Sequence, residues 1–286
     1  MEQAQGVAMG LLKKILFRPL TKSAGLQRLW GRLHTLAIFG MNYGGGGLIE
    51  SSGEEWVLAH VVREACVTED SPVVFDVGAN VGHYTQLVLR HVPHARVYAV
   101  EPSRVAYDEL RRNVGGDERV KTFRLGLSDT DRTVALHSYT ADGQETTLLS
   151  SIDPRLPTQV VRVETSAVEE IEVQTLDHLC ESEHVERIDF LKLDVEGHEP
   201  AILRGARRML EEGRVSLIQF EFGPANIYSR TYFYDFWTLL SARYDIFRII
   251  PKGIVRVPSY GEHHEVFLTT NYLAVLRRDP VAEARA

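Results

Sequence analysis

A short segment of the 286-residue chain concentrates titratable side chains. Four ionisable groups occur within seven residues: Lys192, Asp194, Glu196 and His198. Alternate residues of a strand point to one face, so Lys192 and Asp194 are expected to lie together. Histidine titrates near neutral pH, which suits a base that removes a proton from a substrate hydroxyl group. We therefore predict a catalytic group made of these four residues.

Two interpretations of this segment stay open. In the first, His198 is the base, and Asp194 or Glu196 either orients it or acts directly. In the second, Lys192 and the carboxylates form an ion-pair network that only fixes the start of the next helix, where His198 makes a local hydrogen bond. Asp194, Glu196 and Glu221 also offer the hard oxygen ligands that Mg²⁺ prefers, but no metal site is assigned.

A glycine-containing loop forms a second candidate site. Gly78 and Gly82 permit a tight turn and a close backbone approach to a ligand. Asp76 precedes this loop, and Glu101 follows the next apolar segment, where a carboxylate can accept the hydroxyls of an adenosine ribose. The loop lacks the Lys-Ser/Thr pair of a phosphate-binding P-loop. Asn80 occupies the place of the second glycine in the dinucleotide fingerprint.

The charge of Asp76 distinguishes between nucleotide cofactors. It would repel a pyrophosphate, whereas it would attract the ammonium and sulfonium groups of S-adenosylmethionine. Ser128 and Asp129 follow a third apolar segment and can accept from an adenine amino group. The alternative is an ordinary helix-entry turn with a buried, hydrogen-bonded Asp76. The predicted cofactor-binding residues are Asp76, Gly78, Asn80, Gly82, Glu101, Ser128, Asp129 and Asp194.

These residues must be positioned by the ends of strands. From residue 73 onward, short apolar runs alternate with helical periods, which predicts an α/β, doubly wound parallel sheet covered by helices on both faces. Ligands of such sheets lie beyond the carboxyl ends of the strands. The five predicted strands span residues 73–77, 96–100, 120–127, 188–193 and 215–222.

A series of motifs accompanies these strand ends in a fixed order: Phe75–Gly82, Glu101–Pro102, Gly126–Asp129, Thr175–Asp177 and Ile188–Glu199. Together they resemble the FkbM family of S-adenosylmethionine-dependent methyltransferases, over residues 52 to 277. The resemblance implies a class I methyltransferase (Rossmann-like) fold with a seven-stranded sheet. Its last strand, expected at Tyr272–Leu276, would be antiparallel.

The same resemblance implies a function. S-adenosylmethionine would be held by the glycine loop and the carboxylates, and its methyl group would pass to a hydroxyl oxygen of a sugar, glycan or secondary metabolite. A non-catalytic module that binds the S-adenosyl nucleoside as a partner or sensor is the alternative. A dehydrogenase ranks third, because Asp76 and Asn80 disagree with a dinucleotide loop.

Composition limits the class of protein. A hydrophobic fraction of 44% and a charged fraction of 25% indicate a globular protein. The formal net charge of −7 argues against general nucleic-acid binding, which needs a basic face. Two cysteines cannot form a disulfide framework, and no apolar run is long enough to span a membrane. These features, with no secretory signal, predict a cytoplasmic protein.

The first 50 residues differ from the rest. Residues 1–40 hold six Lys and Arg side chains against one Glu. Apolar residues from Leu26 onward follow a helical period, so residues 1–50 are predicted to be a helical extension or cap, and 51–286 the cofactor-binding domain. The amphipathic helix would either pack on the main domain or make a weak contact with a membrane surface. The glycine-rich residues 41–47 would form a connector or a loop over a site.

Two segments outside the motifs are expected to contact the acceptor. Residues 138–165 are polar and show no strong period, which predicts a long loop. Residues 226–237 are rich in aromatics that would either stack on a sugar ring or pack in the core.

Overall fold

The computed structural model of the protein describes residues 23–47, 49–67, 69–141, 144–152 and 163–277. The chain divides into two compact units between Tyr43 and Gly44. In the described part of the chain no helix is both long and apolar enough to cross a membrane.

The first unit contains helix α1 (Ala24–Gly40). Ser23 caps its first turn, because the Ser23 Oγ accepts the N–H of Leu26 at 3.2 Å. The predicted amphipathic helix is thus confirmed, and it begins two residues before Leu26. None of its 17 residues is buried.

The described residues of the second unit form two sheets. Its strands in chain order are β1 (Val73–Val77), β2 (Arg96–Val100), β3 (Val120–Phe123), β4 (Gly126–Leu127), β5 (Arg132–Ala141), β6 (Gln144–Ser151), β7 (Val163–Gln174), β8 (Ile188–Leu193), β9 (Val215–Phe222), β10 (Tyr244–Ile250), β11 (Gly253–Val257) and β12 (Thr270–Leu276). The main sheet has the order β11-β10-β12-β9-β8-β1-β2-β3, and the smaller sheet has the order β4-β7-β5-β6.

The main sheet confirms the predicted α/β architecture. Strands β3, β2, β1, β8 and β9 are parallel, and β12 runs antiparallel to both β9 and β10. The reversed last strand is therefore where the sequence predicted it. The predicted count of seven strands is wrong by one, because β10 and β11 form a hairpin closed at Ile250 and Gly253.

The smaller sheet corrects two further predictions. The strand expected at 120–127 is broken, since β3 stays in the main sheet while β4 pairs with β7. Residues 138–141, 144–151 and 163–165, expected in a long loop, belong to strands. This sheet has a small apolar core of Leu136, Ile171 and Val173. Because most other positions of its strands are polar, the sequence there lacks the apolar runs that indicate a strand.

Helices cover both faces of the main sheet. Successive strand residues alternate between two clusters: Phe75 and Val77 pack in one, and Val74 packs in the other. The helices are α2 (Ile49–Ser52), α3 (Glu54–Val57), α4 (Arg63–Ala65), α5 (His83–His91), α6 (Arg104–Val114), α7 (Leu176–Ser182), α8 (Glu199–Gly205), α9 (Arg207–Glu211), α10 (Ala225–Ser229) and α11 (Phe233–Leu240), with a π-turn at Leu58–Val62 and a 3-10 turn at Glu262–His264.

Both cysteines are core residues. Cys66 and Cys180 are free thiols that lie buried in the two apolar clusters. Burial raises the pKa of each thiol to about 12, so both stay protonated and unreactive at neutral pH.

Candidate active site

A cavity of about 550 Å³ opens at the carboxyl ends of the parallel strands. The loops after β1, β2, β8 and β9 form most of its wall, as the topology of a doubly wound sheet predicts. The smaller sheet contributes Leu136, Ser150 and Ser151, and Ile152 follows directly, so the segment expected to contact an acceptor does reach the cavity. Gly46 and Gly47 also line it, which fits a loop over a site.

Lys192 is the centre of a buried charge network. Its Nζ lies 3.1 Å from Asp194 Oδ2 and 3.6 Å from Asp76 Oδ1, and it is 4.6 Å from the centre of the Tyr84 ring. Burial opposes the charge, but the surrounding carboxylates of Asp194, Asp76 and Glu54 raise the pKa of Lys192 above its ordinary value. Lys192 is therefore a fixed cation, and it cannot act as a base at neutral pH.

A second buried chain of hydrogen bonds runs through Glu54. Its Oε1 accepts from Gln219 Nε2 at 2.7 Å, and its Oε2 accepts from Ser52 Oγ at 2.9 Å. Gln219 Oε1 in turn accepts the hydroxyl of Tyr84 at 3.1 Å. Burial raises the pKa of Glu54, while Lys192 works against that rise. Glu54 and Tyr84 both line the cavity, so this chain holds two walls of the site in place.

The loop after β1 is held by Glu101. Its Oε2 accepts the N–H of Asn80 and its Oε1 accepts the N–H of Ser103, both at 2.9 Å. Burial raises the pKa of Glu101 to about 7, against the effect of these two bonds. Asn80 Oδ1 is buried and has no hydrogen-bond partner among the described residues. A buried amide oxygen of this kind is suited to accept from a bound ligand.

The loop after β8 is tightly wound. Glu196 has a φ of 54° and Gly197 a φ of 91°, so two successive residues adopt the left-handed conformation. Glu199 Oε1 accepts the N–H groups of Val195 and Gly197, at 3.0 and 3.3 Å, and so holds this turn. Burial, with the neighbouring Asp194 and Glu199, raises the pKa of Glu196 to about 8. This carboxyl group therefore exchanges protons near neutral pH.

His198 belongs to a polar relay. Ser128 Oγ lies 3.0 Å from His198 Nε2 and donates to Asp129 Oδ1 at 3.1 Å. Since the only hydroxyl proton of Ser128 goes to Asp129, His198 Nε2 is the donor to Ser128, and the lone pair of the neutral ring is on Nδ1. Burial opposes ionisation of Asp129, but Ser128 and Arg132 lower its pKa. The relay thus fixes the tautomer of a histidine that lines the cavity.

The structure places the predicted site residues in two layers. The cavity wall contains Gly78, Asn80, Glu101, Lys192, Asp194, Glu196 and His198. Asp76, Gly82, Ser128 and Asp129 are not on the wall. Asp76 lies behind the wall, where its carboxylate pairs with Lys192 and accepts a hydrogen bond from Thr85 Oγ1 at 2.7 Å. Ser128 and Asp129 serve His198 instead of facing the cavity.

Part of the aromatic segment at 226–237 packs in the core. Phe233 and Phe236 are fully buried, and Phe236 stacks on Phe220 with ring centres 4.5 Å apart. Tyr232 and Tyr234 are exposed, and no aromatic residue of this segment lines the cavity. The core alternative is therefore confirmed for Phe233 and Phe236.

Glu221 adds a further carboxylate to the wall. Burial raises the pKa of Glu221 well above its ordinary value, and the negative neighbours Asp194, Glu196 and Glu199 raise it further. Within the described ranges no three His, Cys, Asp or Glu side chains are arranged to hold a metal ion. The excess of carboxylates over cations makes the cavity suited to a positively charged ligand.

A family comparison accounts for this arrangement. The model of the methyltransferase FkbM domain matches residues 76–246, which is more than half of the chain. The chain belongs to the FkbM methyltransferase family. The match spans the loop after β1, the relay residues and the whole loop after β8, so the resemblance of the sequence motifs is confirmed.

Three curated relatives align with this FkbM-family chain. The 2-O-methyltransferase NoeI of Sinorhizobium fredii is 28% identical over 55% of this chain and 65% of its own length. The methyltransferase sdnD of Sordaria araneosa is 31% identical over 47% and 60%. The hexuronic acid methyltransferase AglP of Haloferax volcanii is 26% identical over 60% and 64%. The chain thus spans less than two thirds of these relatives.

Sequence reasoning missed several residues of the FkbM-family site. Glu54, Tyr84 and Gln219 form one hydrogen-bonded chain at the cavity, yet none belongs to the motifs used above. Glu54 precedes the first strand by 19 residues, in a segment with no recognised motif. Gln219 offered the one usable signal, because a polar residue inside an apolar strand needs a partner.

Replacing Gly78 by alanine should open the FkbM-family site. Gly78 has a φ of 78°, and an added Cβ would lie 1.8 Å from the carbonyl oxygen of Asp194. We expect a loss of at least about 2 kcal/mol in the free energy of unfolding, because strain adds to the clash. Gly116→Ala is the matched control, since no described atom lies within 4 Å of its Cβ. Equal urea midpoints for both variants would contradict the close approach of the two loops.

Glu196 should make stability depend on pH. Its pKa of about 8 lies above the value of 4.5 of the free side chain, so the folded state retains this proton over a wider pH range. The free energy of unfolding should then fall as pH rises from about 5 to about 8. In Glu196→Gln the fall should be smaller by at least about 1.4 kcal/mol, the equivalent of one pKa unit. Urea titrations of both proteins at pH 5, 6.5 and 8 measure this difference. The same pH dependence of the free energy of unfolding in both would exclude a raised pKa of Glu196.

Proposed function

We propose that the protein is an S-adenosylmethionine-dependent O-methyltransferase that acts on a hydroxyl group of a sugar, glycan or secondary metabolite. The observation that carries this proposal is the single cavity in which the glycine loop and Glu101 face the group Asp194, Glu196 and His198. A cofactor site and a proton acceptor thus share one space. The names of two relatives, a 2-O-methyltransferase and a hexuronic acid methyltransferase, support oxygen on a sugar as the acceptor.

The wall of the cavity fits this cofactor. Asn80 Oδ1 is a buried acceptor that lacks a partner among the described residues, and Glu101 stands at the end of β2 where a ribose would bind. The carboxylates of Glu54 and Asp194 suit the ammonium and sulfonium charges. When bound, S-adenosylmethionine supplies an activated methyl group.

The protein's own residues then have two tasks. The first is to hold the acceptor oxygen in line with the methyl group at contact distance, since a correctly oriented pair reacts far faster than a free one. The second is to take the hydroxyl proton. His198 is the proposed base because Ser128 fixes its tautomer and the carboxyl group of Asp194 lines the same cavity. A nearby carboxylate would stabilise the developing imidazolium.

Calorimetry and product analysis test the proposal together. The full chain would be titrated with S-adenosylmethionine, S-adenosylhomocysteine and NAD⁺, each with and without Mg²⁺. Micromolar binding of the two S-adenosyl compounds, and none of NAD⁺, is expected. Methyl transfer would then be measured on p-nitrophenyl hexosides and hexuronides. Binding without transfer to any sugar or polyketide hydroxyl would favour the non-catalytic module, and no binding would exclude both.

We also propose a cytoplasmic location, with residues 51–286 as the catalytic domain and residues 1–50 as its extension. The two free, buried thiols support a reducing compartment. Fractionation of cells that produce the full chain tests the location.

A further inference from the structure

Helix α1 presents an apolar face that is not buried. With 100° per residue, six apolar side chains fall within an arc of about 120°. Within this arc Leu29 is 50% exposed, Leu33 43% and Leu36 68%. We call this surface the α1 face, made of Leu26, Leu29, Trp30, Leu33, Leu36 and Ala37. A contiguous apolar surface of this kind marks an interaction site.

Charge indicates what the α1 face binds. Arg28 and Arg32 lie beside one edge of the apolar arc, and both are exposed. The sequence that precedes the helix adds four more basic residues and one acidic residue, whereas the chain as a whole carries a formal charge of −7. Positive charge is thus concentrated in the first forty residues of the sequence and is outweighed by negative charge in the rest. An anionic surface would attract this end of the protein and repel the rest.

The dimensions of α1 fit a helix that lies on a membrane. Its 17 residues include two arginines, and no helix of the described residues is both long and apolar enough to cross a bilayer. A Trp and several Leu residues on one side, with Arg on the flank, are typical of interfacial helices. We propose that α1 binds the surface of an anionic lipid membrane through the α1 face, in addition to the function proposed above.

Vesicle sedimentation of the full chain tests this proposal without any acceptor or cofactor. Vesicles of phosphatidylcholine with one quarter phosphatidylglycerol should bind the protein, and vesicles of phosphatidylcholine alone should bind it much more weakly. Arg28→Gln/Arg32→Gln should weaken binding about thirtyfold, because each basic residue near an anionic surface contributes about 1 kcal/mol. Raising the salt concentration should also weaken binding to the anionic vesicles.

A matched pair of variants tests the apolar face. Leu33→Ser/Leu36→Ser should weaken vesicle binding at least about tenfold, because two leucines that the membrane would bury are lost. Gln27→Ser/Thr35→Ser places the same residue type on the opposite side of the helix and should bind like the unchanged chain. All four positions are exposed, so both variants should keep the thermal midpoint of the parent.

The remaining outcomes overturn the proposal. Absence of binding to anionic vesicles would do so, and so would equal binding to both lipid compositions. Sedimentation velocity tests whether a second copy of the chain covers the α1 face instead. If the parent chain is a dimer that does not bind lipid, and Leu33→Ser/Leu36→Ser is a monomer, the α1 face joins two copies. None of these results depends on methyl transfer.

Discussion

Replacing Lys192 by methionine should lower the free energy of unfolding by about 3–5 kcal/mol at pH 7. Methionine keeps most of the length of the side chain but removes the cation that lies between Asp194 and Asp76. Asp76 is completely buried, so its carboxylate would be left without a counter-charge. Urea unfolding of the ligand-free protein measures the loss.

Two comparisons make this result specific. Lys121→Met removes an exposed lysine that pairs with Glu183, and it should cost less than about 1 kcal/mol. The double variant Lys192→Met/Asp76→Asn should recover at least half of the loss, because the unpaired charge is removed. A loss for Lys192→Met no larger than that for Lys121→Met would contradict the buried network.

Replacing His198 by alanine should lower kcat about 10²–10⁴-fold, the usual contribution of a positioned general base. The best acceptor found among the p-nitrophenyl glycosides would be used. The dissociation constant of S-adenosylmethionine should change little, because the proposed role concerns the acceptor proton.

Two further variants separate the base from a structural role. His178→Ala is the control, because His178 is exposed, pairs with Asp131 and is absent from the cavity wall. Ser128→Ala removes the partner of His198 Nε2 and should reduce kcat less than His198→Ala does. If His198→Ala turns over at nearly the parental rate, the base is a different group, and Glu196→Gln becomes the next variant to measure.

The fold was predictable where the pattern was periodic. The buried strands β1, β8 and β9 are apolar runs in the sequence. The prediction that their carboxyl ends lie at the same edge of the sheet is confirmed. The smaller sheet was not predictable from residues 138–165. Its strands hold few apolar residues, and pairing between strands distant in the sequence left no local signal there.

The candidate site was predictable only in part. Residue type and position located Gly78, Glu101 and the loop after β8 at one cavity. The sequence did not tell which carboxylates face the cavity and which neutralise each other. Asp76 and Lys192 are 116 residues apart in the chain but adjacent in register on neighbouring strands, so their pairing depends on the sheet. Glu54 depends on its hydrogen bond to Gln219 in the same way.

The position of β6 has a consequence for how such a protein can diverge. Among the described residues this strand is at the edge of the smaller sheet and pairs with β5 alone, and its end supplies Ser150 and Ser151 to the cavity. An edge strand tolerates exchange and insertion better than a central one. Under the proposed function, substitutions in β6 can therefore change this wall of the cavity while the loops after β1 and β8, in close contact at Gly78, stay unchanged.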